Sequence, residues 1–371
     1  MLNNSKQHYA ILDGLRGVAA LMVVGYHLFE AIAFAAGAPE QKMFHGFLAV
    51  DFFLMLSGFV MGYAYDDRWD TMSVGGFFRR RLIRLHPMVV MGVVIGAIAF
   101  IGQGCLKWDG TQASAGSVAL TILLSLFLIP SPSSLDVRGN TELFPLNGPH
   151  WSLFFEYVGS ILYALLLRRL SDRALKVWVA AAAVALLAMG LLGPDGSIAY
   201  GWSSQPVNML GGLLRMTFEY PAGLLLARMF RNRKESTGTI ASMPSSWAFV
   251  LFGAILAALL CVPSLGSFKV AYEVLCVTVA FPLLVWNAAK VSSPTEGTRR
   301  TMSFLGDLSY PLYAIHYPFI YMYIAWIETG AHPFGEWPGS NPICIGLICL
   351  AVGFICMKFY DKPVRRFLSR K

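Results

Sequence analysis

The sequence predicts an all-α integral membrane protein, a polytopic bundle of about ten transmembrane helices with one short re-entrant or partial helix near residues 118–129. Of its 371 residues, 56% are hydrophobic and only 13% are charged, whereas soluble proteins carry about 25% charged residues. Apolar runs of about 20 residues recur along the chain, and this is the length that a membrane-spanning helix needs. The runs lack the alternating pattern of a membrane β-barrel, which excludes that class.

The basic residues predict the orientation of the first three spans. The first two cover residues 16–36 and 47–65, and the third begins after Pro87 and ends near Gly102. Loops rich in Lys and Arg stay in the cytoplasm. The loop between the second and third spans is therefore expected to be cytoplasmic, as is the N-terminus. Its arginines are Arg68, Arg79, Arg80, Arg81 and Arg84.

Residues 118–129 are apolar but too few for a full span. About 12 helical residues reach only ~18 Å, whereas the hydrocarbon core is ~30 Å thick. The next span, 149–167, ends in the basic segment RRLSDR, which also favours the cytoplasm. A re-entrant or partial helix at 118–129 satisfies both constraints.

The same rule orients the remaining spans so that both termini are cytoplasmic. Basic turns and the basic tail then fall inside, whereas the loops at 37–46, 194–205 and 328–341 carry almost no Lys or Arg. The chain ends soon after its last span, so a single domain over residues 1–371 is predicted, without an appended soluble domain. The remaining spans are predicted at 175–193, 206–229, 246–265, 269–288, 303–327 and 342–360.

Composition also limits the possible partners. The net charge is +8, but the basic residues lie in short loops between apolar runs, so they indicate membrane topology and not nucleic-acid binding. The six cysteines lie in or beside apolar runs without a CxxC pair, and we interpret them as small hydrophobic residues. No metal site is predicted.

Arg16 and His27 lie in the first apolar run, LDGLRGVAALMVVGYHLF. Their separation of eleven residues is about three helical turns, so both side chains project from nearly the same face, ~16 Å apart along the axis. A snorkelling arginine and a structurally satisfied histidine are the ordinary explanation. Ionisable residues at such depth, however, face a protein interior or a wet cavity, and the shared face favours His27 as a general base for a hydroxyl group.

The segment FFRRRLIRLHP at 77–87 contains four arginines, of which Arg80, Arg81 and Arg84 are candidate site residues. Arg81 and Arg84 are three residues apart and project from one helix face. Paired guanidinium groups bind phosphate in a bidentate manner, which predicts a phosphate site. An ordinary cytoplasmic basic cluster is the alternative interpretation.

Two carboxylates in later spans are candidates to orient the histidine of the first span. Asp51 lies at the outer end of the second span and could instead cap that helix, and Glu156 lies about two turns into the span at 149–167. A carboxylate in a membrane helix needs a partner. Ser57 is also explained by close helix packing, and Trp151 by the aromatic belt at the membrane interface.

The span at 303–327 carries a polar stripe that includes Tyr310 and His316, which fits the lining of a cavity. Two prolines in it are expected to break or kink the helix. In the span at 206–229, Arg215 and Glu219 are four residues apart, and the simplest prediction is an ion pair between them.

Five segments in order resemble the motifs of the acyltransferase-3 family of membrane O-acyltransferases. They are LDGLRGVAALMVVGYHLF, VDFFLMLSGFV, RRLIRLHP, PHWSLFFE and LGDLSYPLYAIHYP, and they span about residues 9–320. The resemblance implies a bacterial inner-membrane enzyme that transfers an acyl group, usually acetyl, from cytoplasmic acyl-CoA. The implied acceptor is a hydroxyl group of a cell-envelope carbohydrate or lipid-linked sugar. By this analogy, Arg16 and His27 belong to the transfer site, and Arg81 and Arg84, with Arg80, hold the phosphates of the donor.

In this scheme His27 either deprotonates the acceptor hydroxyl or becomes acylated itself. We expect Asp51 or Glu156 to hold the imidazole, as the third member of a triad does. A secondary transporter of a lipid-linked sugar or organic anion is the alternative function, although the sequence has no convincing internal repeat. The residues expected to line the substrate cavity are Ser57, Tyr310, His316 and Trp151.

Overall fold

The chain is built from helices, as the sequence predicts. The computed structural model describes residues 9–35, 44–232, 243–291, 294–337 and 339–370, and within these ranges it contains no β-strand. The polar N-terminal head and most of the loop predicted at 37–46 lie outside the described residues. The described helices are α1 (Ala10–Ala35), α2 (Ala49–Tyr65), α3 (Val74–Gly102), α4 (Ala115–Leu126), α5 (His150–Leu165), α6 (Asp172–Leu192), α7 (Pro206–Arg231), α8 (Ser245–Leu260), α9 (Lys269–Leu275), α10 (Phe281–Lys290), α11 (Glu296–Glu328), α12 (Ser340–Cys356) and α13 (Lys362–Ser369).

Seven helical segments of the described chain are long and apolar enough to cross a membrane. They indicate an integral membrane protein and confirm the predicted all-α class, whereas the count of about ten spans stays a prediction. Three of the ten predicted spans are not among the seven: α8 has only 16 residues, and α7 and α11 contain charged and polar residues. The helix expected near 118–129 is present as α4, which is 12 residues long.

Proline does not end a helix here, which corrects the predicted start of the third span after Pro87. The third helix begins at Val74, capped by Ser73, and continues through Pro87. Likewise, α11 continues through Pro311 and Pro318 over 33 residues. A proline removes one backbone hydrogen bond, but the neighbouring turns and packed helices keep the remaining bonds of a membrane helix in place.

Two helix pairs form the centre of the bundle, α1 with α11 and α2 with α7. Gly58 of α2 lies directly on the backbone of Tyr220, and Gly223 of α7 lies on that of Met55, so that a β-carbon on either glycine would overlap a carbonyl oxygen. Small residues at such crossings allow helix backbones to approach closely in a membrane.

Candidate active site

A cavity of about 350 Å³ lies at the end of the bundle where α1 and α11 begin and α2 ends. Side chains from α1, α2, α3, α5, α11 and α13 line this cavity. We call it the basic cavity, because four of the lining side chains are arginines. It unites six of the eleven predicted site residues, although they are far apart in the sequence. These six are Arg16, Ser57, Arg81, Arg84, Glu156 and Tyr310.

One wall of the basic cavity is an ion pair between Arg81 and Glu156. Nη2 of Arg81 donates to Oε1 of Glu156 at 2.6 Å, and the Ser57 hydroxyl donates to the same oxygen at 2.9 Å. Nε of Arg81 donates to the Ser160 hydroxyl, and the Arg81 side chain is only 3% exposed. The charge of Arg81 is therefore already neutralised, and the pair ties α3 to α5 and α2.

Arg84 differs from Arg80 and Arg81 in its contacts and its exposure to the cavity. Its side chain is exposed in the basic cavity, and it makes no hydrogen bond or ion pair with any residue that the structure describes. Arg80 is exposed but is not among the residues that line the cavity. Of the three predicted phosphate-binding arginines, only Arg84 lines the cavity without a hydrogen bond or ion pair to any described residue.

Arg16 projects into the basic cavity from α1 but is held in place by α11. Its Nε donates to the Ser309 hydroxyl at 2.9 Å, and its Nη2 donates to the Gly306 carbonyl oxygen at 2.8 Å. The Asp13 carboxylate lies 3.5 Å away. These contacts fix the guanidinium group while leaving the side chain 24% exposed.

His27 lies outside the basic cavity, about three turns further along α1. Its Nδ1 donates to Oε2 of Glu30 at 2.7 Å, and the Tyr317 hydroxyl donates to the same oxygen at 3.3 Å. The prediction that Asp51 or Glu156 holds the imidazole is therefore wrong. Glu30 holds it, because a residue three positions later on the helix lies beside His27.

A layer of two side chains, Tyr313 and His316, separates His27 from the basic cavity. Tyr313 lines the cavity, and its ring centroid is 5.8 Å from that of His316. The His316 ring in turn is 5.3 Å from the His27 ring. Nδ1 of His316 donates to the Tyr313 carbonyl oxygen, and its buried Nε2 has no hydrogen-bond partner among the described residues.

Asp51 also lies away from the basic cavity, in a buried ion pair with Arg215. Both oxygens of Asp51 accept from the guanidinium group, at 2.8 and 2.7 Å, and both side chains are at most 2% exposed. The predicted pairing of Arg215 with Glu219 is wrong because this bidentate geometry across α2 and α7 fits the planar guanidinium better. Trp151 lies under Arg215, with the guanidinium carbon 5.0 Å from its ring centroid.

The segment between α4 and α5 contacts Tyr321, which lies next to Tyr317, a neighbour of His27. The Tyr321 ring is 4.6 Å from that of Tyr317, and its hydroxyl donates to Glu142. Arg138 lies over the Tyr321 ring at 3.7 Å. Burial raises the pKa of Glu142 to about 7, against the opposing effects of Tyr321 and Arg138.

Sequence reasoning missed three residues of this region: Glu30, Tyr313 as a separating side chain, and Arg365. The spacing of Glu30 from His27 was a usable signal, since residues three apart share a helix face. Arg365 belongs to the basic tail, whose charges indicate only topology in the sequence. No cluster of His, Cys, Asp or Glu suited to a metal ion occurs in the ranges that the structure describes.

Comparison with known families decides the class of protein. The family described as "Acyltransferase domain" matches residues 9–357. The chain belongs to the acyltransferase-3 family. This match confirms the resemblance drawn from the five segments and the prediction that the chain carries an acyltransferase domain.

Curated relatives of this acyltransferase-3 member are distant. "Protein 2 in picA locus" of Rhizobium radiobacter is 33% identical over 50% of this chain and 97% of its own length. "Acyltransferase MdmB" of Streptomyces mycarofaciens is 30% identical over 47% of this chain, and "Peptidoglycan O-acetyltransferase OatA" of Listeria monocytogenes is 25% identical over 98% of it. The matches span only 43% and 56% of the latter two proteins. No solved structure matches the chain.

Proposed function

We propose that the protein is a membrane O-acetyltransferase that takes acetyl groups from acetyl-CoA. The acceptor is a hydroxyl group of a cell-envelope carbohydrate or lipid-linked sugar, in keeping with the similarity to a peptidoglycan O-acetyltransferase. The observation that carries the proposal is the basic cavity, in which Arg84 has no hydrogen bond or ion pair to a described residue, within an acyltransferase domain.

The basic cavity supplies the donor site. Phosphate groups bind Arg84 at the mouth, because a guanidinium group without a carboxylate partner gains most from a bidentate phosphate contact. Arg16, deeper on α1, adds a second positive charge. Arg81 keeps Glu156 and shapes the wall, so the two arginines of RLIR have separate roles. The thioester end of CoA then lies against Tyr313.

His27 supplies the base. Because its Nδ1–H is bonded to Glu30, its Nε2 carries the lone pair. In the direct route, Nε2 accepts the acceptor's hydroxyl proton, the oxygen attacks the thioester carbon, and the C–S bond breaks to release CoA thiolate. In the covalent route, Nε2 attacks the thioester carbon and the C–S bond breaks to release CoA thiolate. The acceptor oxygen then attacks the acetyl carbon, the N–C bond breaks, and the freed Nε2 takes the hydroxyl proton. Both routes need the Tyr313–His316 layer to open.

The proposal includes the predicted topology. Ten spans with both termini cytoplasmic, in a bacterial inner membrane, would open the basic cavity to cytoplasmic acetyl-CoA. His27 would then lie on the side from which an envelope acceptor arrives.

The activity is tested on purified protein in lipid nanodiscs with radiolabelled acetyl-CoA. We expect release of free CoA and transfer of the label to a glycan acceptor or to His27 itself. Absence of donor turnover, with flux of a lipid-linked sugar or organic anion in liposomes, would instead indicate a transporter.

Arg84→Gln is expected to weaken acetyl-CoA binding about tenfold or more, since a charge-assisted hydrogen bond contributes about 1.5–3 kcal/mol. Arg68→Gln removes the same charge from an exposed residue outside the cavity and serves as the matched control. Equilibrium binding of acetyl-CoA to both variants provides the measurement. Equal affinities would reduce Arg84 to a topology signal.

Glu30→Gln is expected to lower kcat about tenfold or more while KM for acetyl-CoA stays the same. The carboxylate fixes the imidazole tautomer and stabilises its cation, but it does not touch the basic cavity. Steady-state kinetics separate the two constants, and Glu30→Asp should recover part of kcat. A rise in KM without loss of kcat would argue against this positioning role.

A further inference from the structure

The C-terminal helix α13, the last part of the helical segment Ser340–Ser369, contributes a side chain to the basic cavity. It lies beyond the part of the chain that the family match covers. The match ends at residue 357, and α13 spans Lys362–Ser369. Its Arg365 is one of the four arginines that line the cavity. This residue is therefore a candidate site residue that family membership does not supply.

Three contacts fix α13 on the bundle. Nζ of Lys362 lies 2.6 Å from a carboxylate oxygen of Asp307 on α11. Nη2 of Arg79 on α3 donates to the Leu368 carbonyl oxygen at 3.3 Å. The helix also packs against α3 itself. Arg365 thus projects from an anchored helix.

Arg365 is held at the cavity by one ion pair and keeps further N–H donors for a ligand. Its Nη2 is paired with the fully buried Asp361, one turn earlier, while the side chain stays 29% exposed. A guanidinium group has five N–H donors in a fixed fork, so one carboxylate on one side leaves others for a ligand. Arg84 of α3 lines the same cavity, so both guanidinium groups are available to one ligand.

We propose that Arg365 binds the phosphates of the CoA donor together with Arg84, so that α13 forms part of the donor site. The inference rests on the proposed function. The two guanidinium groups come from helices α3 and α13, and both line the basic cavity. This arrangement suits a ligand with several phosphate groups, such as the nucleotide end of CoA. In the absence of donor, Arg365 is paired with Asp361.

The test compares Arg365→Gln with Arg366→Gln, which removes the same charge from an exposed neighbour that does not line the cavity. Binding of acetyl-CoA to the purified full-length protein is measured at low and high salt. We expect about tenfold weaker binding for Arg365→Gln, a change below twofold for Arg366→Gln, and a smaller gap at high salt. Arg365→Lys should be intermediate, because it keeps the charge but loses the fork.

Asp361→Asn separates a binding role from a structural one. If Arg365 serves the donor, loss of its competing carboxylate leaves acetyl-CoA binding unchanged or tighter. Equal weakening in Asp361→Asn and Arg365→Gln, with matching losses of melting temperature, would make the pair purely structural and overturn the inference.

The inference and the proposed function fail in different ways. Unchanged affinity in Arg365→Gln, with weakened affinity in Arg84→Gln, overturns the role of α13 and leaves the acetyltransferase intact. A wild-type protein that neither binds nor turns over acetyl-CoA overturns both.

Discussion

His27→Gln is expected to lower acetyl transfer by a factor of about 10²–10⁴ and to leave acetyl-CoA affinity unchanged. The imidazole is the proposed proton acceptor, but it lies outside the basic cavity, beyond Tyr313 and His316. Donor binding therefore does not depend on it. Turnover and equilibrium binding, measured on the same preparation, separate these effects.

The control for this variant is His332→Gln, because His332 is exposed in the loop between α11 and α12. It should retain full turnover. Undiminished transfer by His27→Gln would exclude His27 as base or nucleophile. Loss of transfer in His316→Gln alone would assign the proton to His316, whose Nε2 lies free in the separating layer.

Asp51→Asn is expected to destabilise the fold by about 3–5 kcal/mol, because it leaves the Arg215 charge buried without its partner. Asp172→Asn also removes an aspartate that faces an arginine, but that carboxylate is 46% exposed and 3.6 Å from Arg228. Its loss should cost about 1 kcal/mol or less. Unfolding of both variants in the same detergent gives the comparison.

A paired substitution extends this test to catalysis. Replacing Asp51 with Leu and Arg215 with Met removes both charges and should recover most of the lost stability. Transfer activity in that double variant would show that Asp51 holds α2 against α7 and has no chemical role. A stable but inactive double variant would return Asp51 to the transfer site.

The composition of the site was predictable, but its pairings were not. Arg16, Arg81, Arg84 and Glu156 stand out in the sequence because ionisable residues are costly in a membrane helix. Their partners depend on which helices touch, and that depends on backbone contacts such as those of Gly58. Residue spacing along one helix indicates a shared face but not the residue opposite.

Arg81 and Arg84, the two arginines of the segment RLIR at 81–84, illustrate this limit. Their spacing predicts one common face, and both do line one cavity. Yet Arg81 is neutralised by a glutamate 75 residues away, whereas Arg84 is not. No pattern within α3 distinguishes them. By contrast, the contact between His27 and Glu30 is local, and the spacing of these residues alone was sufficient to predict it.

The side chains of Tyr313 and His316 also affect whether ions could leak across the membrane through this protein. A passage wide enough for a nucleotide would leak ions and dissipate the proton gradient across the membrane. In the proposed reaction, a barrier of two rings that opens only far enough for a two-carbon fragment would let the acetyl group pass while coenzyme and solutes stay in their own compartments.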